Sequence, residues 1–127
     1  MKTLLKNLFF LVILTSFLGL SHSCKNNDPS VIKIYVRSAS NQLVGDAQVI
    51  IVGDVNSNPT TNPYVDTLIS NSSGFAQFNM APYYDAAEKD QTVAYFDVFV
   101  KSDTKIAEGY IRSRKHTTAV ESIFLPL

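Results

Sequence analysis

From Thr92 to Lys101 the chain reads Thr-Val-Ala-Tyr-Phe-Asp-Val-Phe-Val-Lys, with Ala94, Phe96, Val98 and Val100 at every second position. A period of two puts these four side chains on one face of an extended segment, whereas a helix would scatter them around its axis. The alternate positions include Val93, Tyr95 and Phe99, so both faces carry apolar groups. That pattern predicts a strand in the middle of a sheet, covered on each side.

The same period recurs along the chain. Ile32, Ile34 and Val36 alternate with Lys33, Tyr35 and Arg37, giving a first strand over 31–37 that stops at Ser38-Ala39-Ser40-Asn41-Gln42. A second strand is predicted over 47–52, with Ala47, Val49 and Ile51 inward, followed by a Pro- and Asn-rich loop over 53–63 that blocks a central strand. Residues 64–70 and 75–80 read as two further strands around Asn71-Ser72-Ser73-Gly74, and such a short turn predicts that they pair as a hairpin. Pro82 precedes Tyr83-Tyr84-Asp85-Ala86-Ala87-Glu88-Lys89-Asp90, enough for one or two helical turns before the fifth strand. Strands over 105–112 and 117–125 complete the chain, joined through Arg114-Lys115-His116. No interval holds a full crossover helix, so seven short strands predict an all-β sandwich rather than an α/β fold.

The segment before the first strand has a different character. Lys2 and Lys6 lead into an apolar run from Leu8 to Leu20, interrupted by Thr15, Ser16 and Gly19, and Ser21-His22-Ser23 then precedes Cys24. Basic start, apolar centre and small-residue end are the order of a secretory signal, predicted over 1–23. A retained transmembrane anchor is the competing reading, but the run falls short of the ~20 residues that cross a hydrocarbon core. All eleven acidic residues follow this segment and two of the eleven basic ones lie within it. The remainder is thus close to neutral, which gives no steering toward nucleic acid.

Cys24 is the only cysteine, so no intramolecular disulfide exists and the domain over 31–127 depends on its own core. Its place at the end of the signal resembles the lipobox of bacterial lipoproteins, in which the cysteine becomes the first mature residue and carries acyl chains. Ser21 stands where that box commonly has Leu, and Ser21 with Ser23 also fits ordinary cleavage, which would leave a free thiol. The polar stretch Lys25-Asn26-Asn27-Asp28-Pro29-Ser30 looks like the tether of many lipoproteins of the Bacteroidota. Lipid attachment at Cys24, with 24–30 as the tether, is the expectation, and acyl chains contribute about 0.8 kcal/mol per buried CH₂.

Val44-Gly45-Asp46-Ala47-Gln48-Val49, followed by Thr67-Leu68-Ile69-Ser70-Asn71-Ser72-Ser73-Gly74-Phe75-Ala76-Gln77-Phe78, resembles the carboxypeptidase regulatory-like domains. The resemblance implies a transthyretin-like/Ig-like Greek-key sandwich of seven strands, serving as an accessory or recognition module without a catalytic residue. Ser70 and Asn71 stand where that family often has Thr and Asp, and Asn keeps the turn chemistry.

Residues that carry chemistry are sparse. Beyond the signal His116 is the only histidine, and it is expected to be a solvated turn residue. Hydroxyisourate hydrolases, which share the transthyretin-like fold, use several histidines and a C-terminal Tyr-Arg-Gly-Ser; this chain has neither and ends Phe124-Leu125-Pro126-Leu127. No zinc spacing occurs, and Asp54-Val55-Asn56-Ser57-Asn58 starts like a calcium loop but meets Pro59 where glycine is needed. No metal, cofactor or catalytic residue is therefore expected. Arg112, Arg114 and Lys115 form a compact basic turn, a candidate contact for phosphate or acidic glycan. Tyr83 and Tyr84 are candidates for stacking on a sugar or anchoring a protein, the alternative being a lid over the open end of the sandwich.

The combined expectation is an outer-membrane lipoprotein, its face of the membrane undetermined, acting as a non-enzymatic interaction module for a protein or polysaccharide. By analogy with the transthyretin-like lipoprotein of type VI secretion systems, an accessory subunit of an envelope assembly is the alternative, and a small hydrolase ranks last. Exposed sheet edges would allow a monomer or a weak homodimer.

Overall fold

The computed structural model describes residues 25–127, together with Met1 and Thr3; the signal over 1–23, apart from those two residues, and Cys24 lie outside the described residues. Seven strands form two sheets: β1 (Val31–Arg37), β2 (Gln48–Gly53), β3 (Val65–Ile69), β4 (Phe75–Asn79), β5 (Val93–Ser102), β6 (Lys105–Arg114) and β7 (Thr118–Phe124). A short helix, α1 (Ala81–Ala86), precedes β5. One sheet runs β4-β1-β7 and the other β3-β2-β5-β6. Strand β5 is internal to its sheet, but only its Ala94, Phe96, Val98 and Val100 face is buried, while Val93, Tyr95 and Phe99 are half-buried on the outer face. The pairings β1 with β4 and β2 with β5 each bring together strands three apart in chain order, the long returns of a Greek key.

The core is what the two-residue period specifies. Ile32, Ile34 and Val36 from β1, Val49 and Ile51 from β2, Ala76 and Phe78 from β4, and Ala94, Phe96, Val98 and Val100 from β5 are buried between the sheets. Among the described residues every core position falls between Ile32 and Leu125, so residues 25–127 hold a hydrophobic core of their own. Strand β7 closes its sheet by pairing parallel to β1, from Val31 opposite Thr118 to Arg37 opposite Phe124.

The expected hairpin of β3 with β4 does not form. β3 pairs only with β2, whereas β4 pairs with β1 in the opposite sheet, Ile32 facing Phe78 and Ile34 facing Ala76. The reason is long-range: β1 offers an unbroken apolar inner face that Ala76 and Phe78 complete, and residues 70–74 carry the chain across. Ser70 secures that crossing, its buried hydroxyl accepting from the Ala47 amide at 2.9 Å and donating to the Val44 carbonyl at 2.9 Å. The Asn71 side chain accepts from the amides of Ser73 and Phe75 at 3.0 and 3.3 Å, the side-chain turn that its chemistry favours. Gly74 takes φ +74°, and a Cβ there would lie 2.6 Å from Leu43 Cβ, so glycine is required on two counts.

Strand β6 also differs from expectation. It continues to Arg114 because β5 begins at Val93 and supplies partners to the end, Ala94 to Ser113 and Val93 to Arg114. The β6–β7 turn thereby contracts to Lys115, His116 and Thr117, and His116 adopts φ 61°.

Candidate functional site

The end of the sandwich where β5 and β7 begin is closed by aromatic rings. Tyr83 and Tyr84 leave α1 side by side, 5.1 Å apart and edge to face, and Tyr83 meets Tyr64 and Phe96 at 5.4 Å each. Edge-to-face pairs at this separation add to the area they bury. Tyr83 and Tyr84 are 3% and 2% exposed, so they do not present a stacking surface; this part of the expected contact set is corrected. Helix α1 starts at Ala81 with Pro82 in its first turn, which turns both tyrosines under the sheets as a lid. Burial raises the phenol pKa of Tyr83, Tyr84 and Tyr64 above the ordinary value of 10.0, and hydrogen bonds offset part of the rise for Tyr83 and Tyr84.

The lid leaves a groove beside it. It has a volume of about 420 Å³ and is lined by Pro59, Thr60 and Asn62 of the β2–β3 loop, by Glu88 and residues 90–93, and by Tyr95 and Arg112. Its walls are tied together. Gln91 Nε2 donates to Tyr83 Oη at 2.8 Å and to the Thr60 carbonyl at 3.1 Å, while the Asn62 amide donates to Tyr83 Oη at 3.1 Å. Thr61 is fully buried, and its hydroxyl accepts from the Tyr95 amide at 2.8 Å and lies 2.9 Å from Ser57 Oγ. Carboxylates of Glu88 and Asp90 share the groove with the Arg112 guanidinium, Gln91 and the Tyr95 ring. Such a set offers hydrogen bonds to hydroxyls and amides plus one aromatic wall.

Of the expected basic turn, only Lys115 lies in the turn itself. Arg112 and Arg114 stand two residues apart on β6, exposed on the outer face of its sheet, with Arg112 opposite Tyr95 and Arg114 opposite Val93. Tyr95 stacks on Tyr110 with centroids 5.9 Å apart and 20° between planes, and Tyr110 donates to Asp54 Oδ2 at 3.1 Å. Partial desolvation and the Asp54 hydrogen bond raise the Tyr110 pKa, with the charges of Asp54 and Asp97 adding to the effect. Asp54 Oδ1 accepts from the Asn56 amide at 2.9 Å, so the resemblance to a calcium loop resolves into a side-chain turn. Among the described residues no group of three or more His, Cys, Asp or Glu is placed to hold a metal ion.

His116 has a defined partner. Its Nδ1 lies 2.9 Å from the Asp28 carbonyl, its amide donates to Ser30 Oγ at 2.7 Å, and its carbonyl accepts from Asn26 Nδ2 at 3.3 Å. The tether is therefore strapped across the β6–β7 turn, at the groove end of the sandwich. Asn26, Asp28 and Ser30 are separated from His116 by more than eighty residues, and nothing in their local sequence marks the contact. Gln91, Thr61 and Tyr95 likewise carried no signal in the sequence, because the groove exists only once three distant segments meet. Cys24 lies outside the described residues, one position before the strap. Among the described residues no helix is long and apolar enough to cross a membrane. No family model matches this chain, and no curated protein matches it.

Proposed function

We propose that this chain is a non-enzymatic recognition module of the bacterial envelope, held to the outer membrane through a lipid on Cys24, whose groove takes a protein or polysaccharide partner. The observation that carries the reading is the groove itself: about 420 Å³, polar and aromatic in lining, and braced by Gln91, Tyr83 and Thr61. A pocket built on a rigid scaffold from loop residues is the common form of a binding site. The resemblance to carboxypeptidase regulatory-like domains supports an accessory role over catalysis. The strap adds a direction. Asn26 and Asp28 bond His116 at the groove end, which supports a reading in which a lipid on Cys24 holds the domain with its groove toward the membrane.

Two measurements test this. Full-length protein and Cys24→Ala are fractionated from a diderm bacterium; the first should sediment with membranes and carry acyl mass at Cys24, and the second should not. A photo-crosslinking residue at Thr60 or Thr92, on the groove rim, should then give discrete adducts in living cells that Arg112→Ala diminishes. Adducts at the opposite pole, around Ser72, with none at the rim would overturn the assignment of the groove.

A further inference from the structure

The outer face of the four-stranded sheet carries several exposed apolar side chains. Its register sets Ile69, Gln48, Lys101 and Ile106 in one row, Thr67, Ile50, Phe99 and Glu108 in the next, and Val65, Val52, Asp97 and Tyr110 in the third. Val65, Ile106 and Ile69 are 66%, 60% and 56% exposed, and Ile50, Val52 and Phe99 lie half-buried among them. The residues between these on β2 and β5, among them Val49, Ile51, Val98 and Val100, are the core. Among the described residues no other element packs over these outward positions, although Tyr110 stacks on Tyr95 and bonds Asp54. Contiguous exposed apolar surface of this kind marks an interaction site more often than it marks free surface.

We infer that this face is the interface of a homodimer, two copies stacking it face to face about a two-fold axis that crosses the strands at the level of Ile50 and Phe99. The charges point to a second copy rather than to a foreign partner. On β5, Lys101 and Asp97 flank Phe99 two residues to either side, which is about 7 Å along an extended chain. A two-fold across the strands reverses their direction, so Lys101 comes to lie against the partner's Asp97, and the same pair repeats by symmetry. The operation also sets Val65 against the partner's Ile69, Ile106 against the partner's Tyr110, and Ile50 and Phe99 against their own counterparts. Among the apolar positions only Val52 meets a polar one, the partner's Gln48; the others meet apolar side chains. Of the charged residues on this face only Glu108 comes to face its like, on the edge strand β6.

Three rows across four strands cover on the order of 20 Å by 20 Å in plan. That falls short of the ~800 Å² per partner of a standard interface, so the dimer is weak and concentration-dependent. Tyr95 and Arg112 form the row beyond the patch, next to the groove. This inference stands independently of the lipid anchor and of what the groove holds.

Residues 25–127, which hold a hydrophobic core of their own, are studied by sedimentation equilibrium from ~10 μM to ~1 mM, a range that brackets a weak association. A monomer–dimer equilibrium is expected. Lys101→Asp alone or Asp97→Lys alone should weaken it by about tenfold or more, and the two together should restore it, since the swapped pair is again complementary. Ile69→Glu should abolish the dimer and leave the circular dichroism spectrum unchanged, which keeps the test decisive if the Asp97 variant folds poorly. A monomer at every concentration overturns the inference. So does a dimer indifferent to Ile69→Glu, or one that both charge reversals weaken without mutual rescue.

Discussion

Replacing Ser70 with Ala removes one oxygen from the connection that carries the chain from β3 to the opposite sheet. Ser70 is 1% exposed, and its Oγ makes two bonds of 2.9 Å, accepting from the Ala47 amide and donating to the Val44 carbonyl. Ala47 is fully buried, so its amide would lose its partner with no water at hand. An orphaned buried polar group costs about 1–3 kcal/mol. The Val44 carbonyl is only partly buried and regains some solvation, so its loss falls at the lower end of that range. The sum for Ser70→Ala is about 2–4 kcal/mol. With a urea m-value of about 1–3 kcal/mol/M for a small domain, the unfolding midpoint should fall by on the order of 1–2 M. Equilibrium urea denaturation followed by circular dichroism reads this directly, with Ser72→Ala as the exposed control expected to stay within ~0.5 kcal/mol of the parent. A Ser70→Ala protein within ~0.5 kcal/mol of the parent would refute the argument that this hydroxyl secures the crossing.

Other consequences follow from the same geometry. Because burial raises the pKa of Tyr64, Tyr83 and Tyr84, the folded chain keeps these protons at a pH where the unfolded chain has released them. That part of the stability is complete below about pH 10 and is lost as pH climbs through the raised folded values, so urea midpoints measured from pH 8 upward should hold and then fall above pH 10; a flat profile would contradict the burial of the lid. His116→Ala removes the side-chain bond to the Asp28 carbonyl, and hydrogen exchange should quicken at residues 26–30 while the strands keep their protection. Gly53→Ala would place a Cβ 2.6 Å from the Asn62 carbonyl oxygen, a backbone clash that should cost about 1–3 kcal/mol and displace the groove wall, visible as a lowered melting temperature and shifted amide resonances from 54 to 64.

Strand content and core membership were legible because burial imposes a period of two that sequence records directly. Ala94, Phe96, Val98 and Val100 could be read as one inner face from their spacing, and all four are buried. The turn chemistry of Asn71 and Gly74 was readable for a similar reason: it is local, set by a side chain that bonds its own backbone and by a backbone conformation that glycine tolerates. Which strand pairs with which was a different matter. β3 and β4 look like a hairpin to any local argument, yet the apolar face of β1, more than thirty residues earlier in sequence, takes β4 for the other sheet.

The candidate site shows the same division. Arg112 could be singled out as a charge near a turn, but only the ten-residue pairing of β5 with β6 sets it on the groove wall opposite Tyr95. Tyr83 and Tyr84 looked like contact residues because a sequence gives ring chemistry without direction; helix α1 turns them inward against Tyr64 and Phe96. The sequence by itself determined an all-β chain with a self-sufficient core, since alternation and apolar content are properties of each segment taken alone. The tertiary structure decided the sheet partners, the groove, the strap on His116 and the apolar outer face, because each depends on contacts between segments that no local pattern encodes.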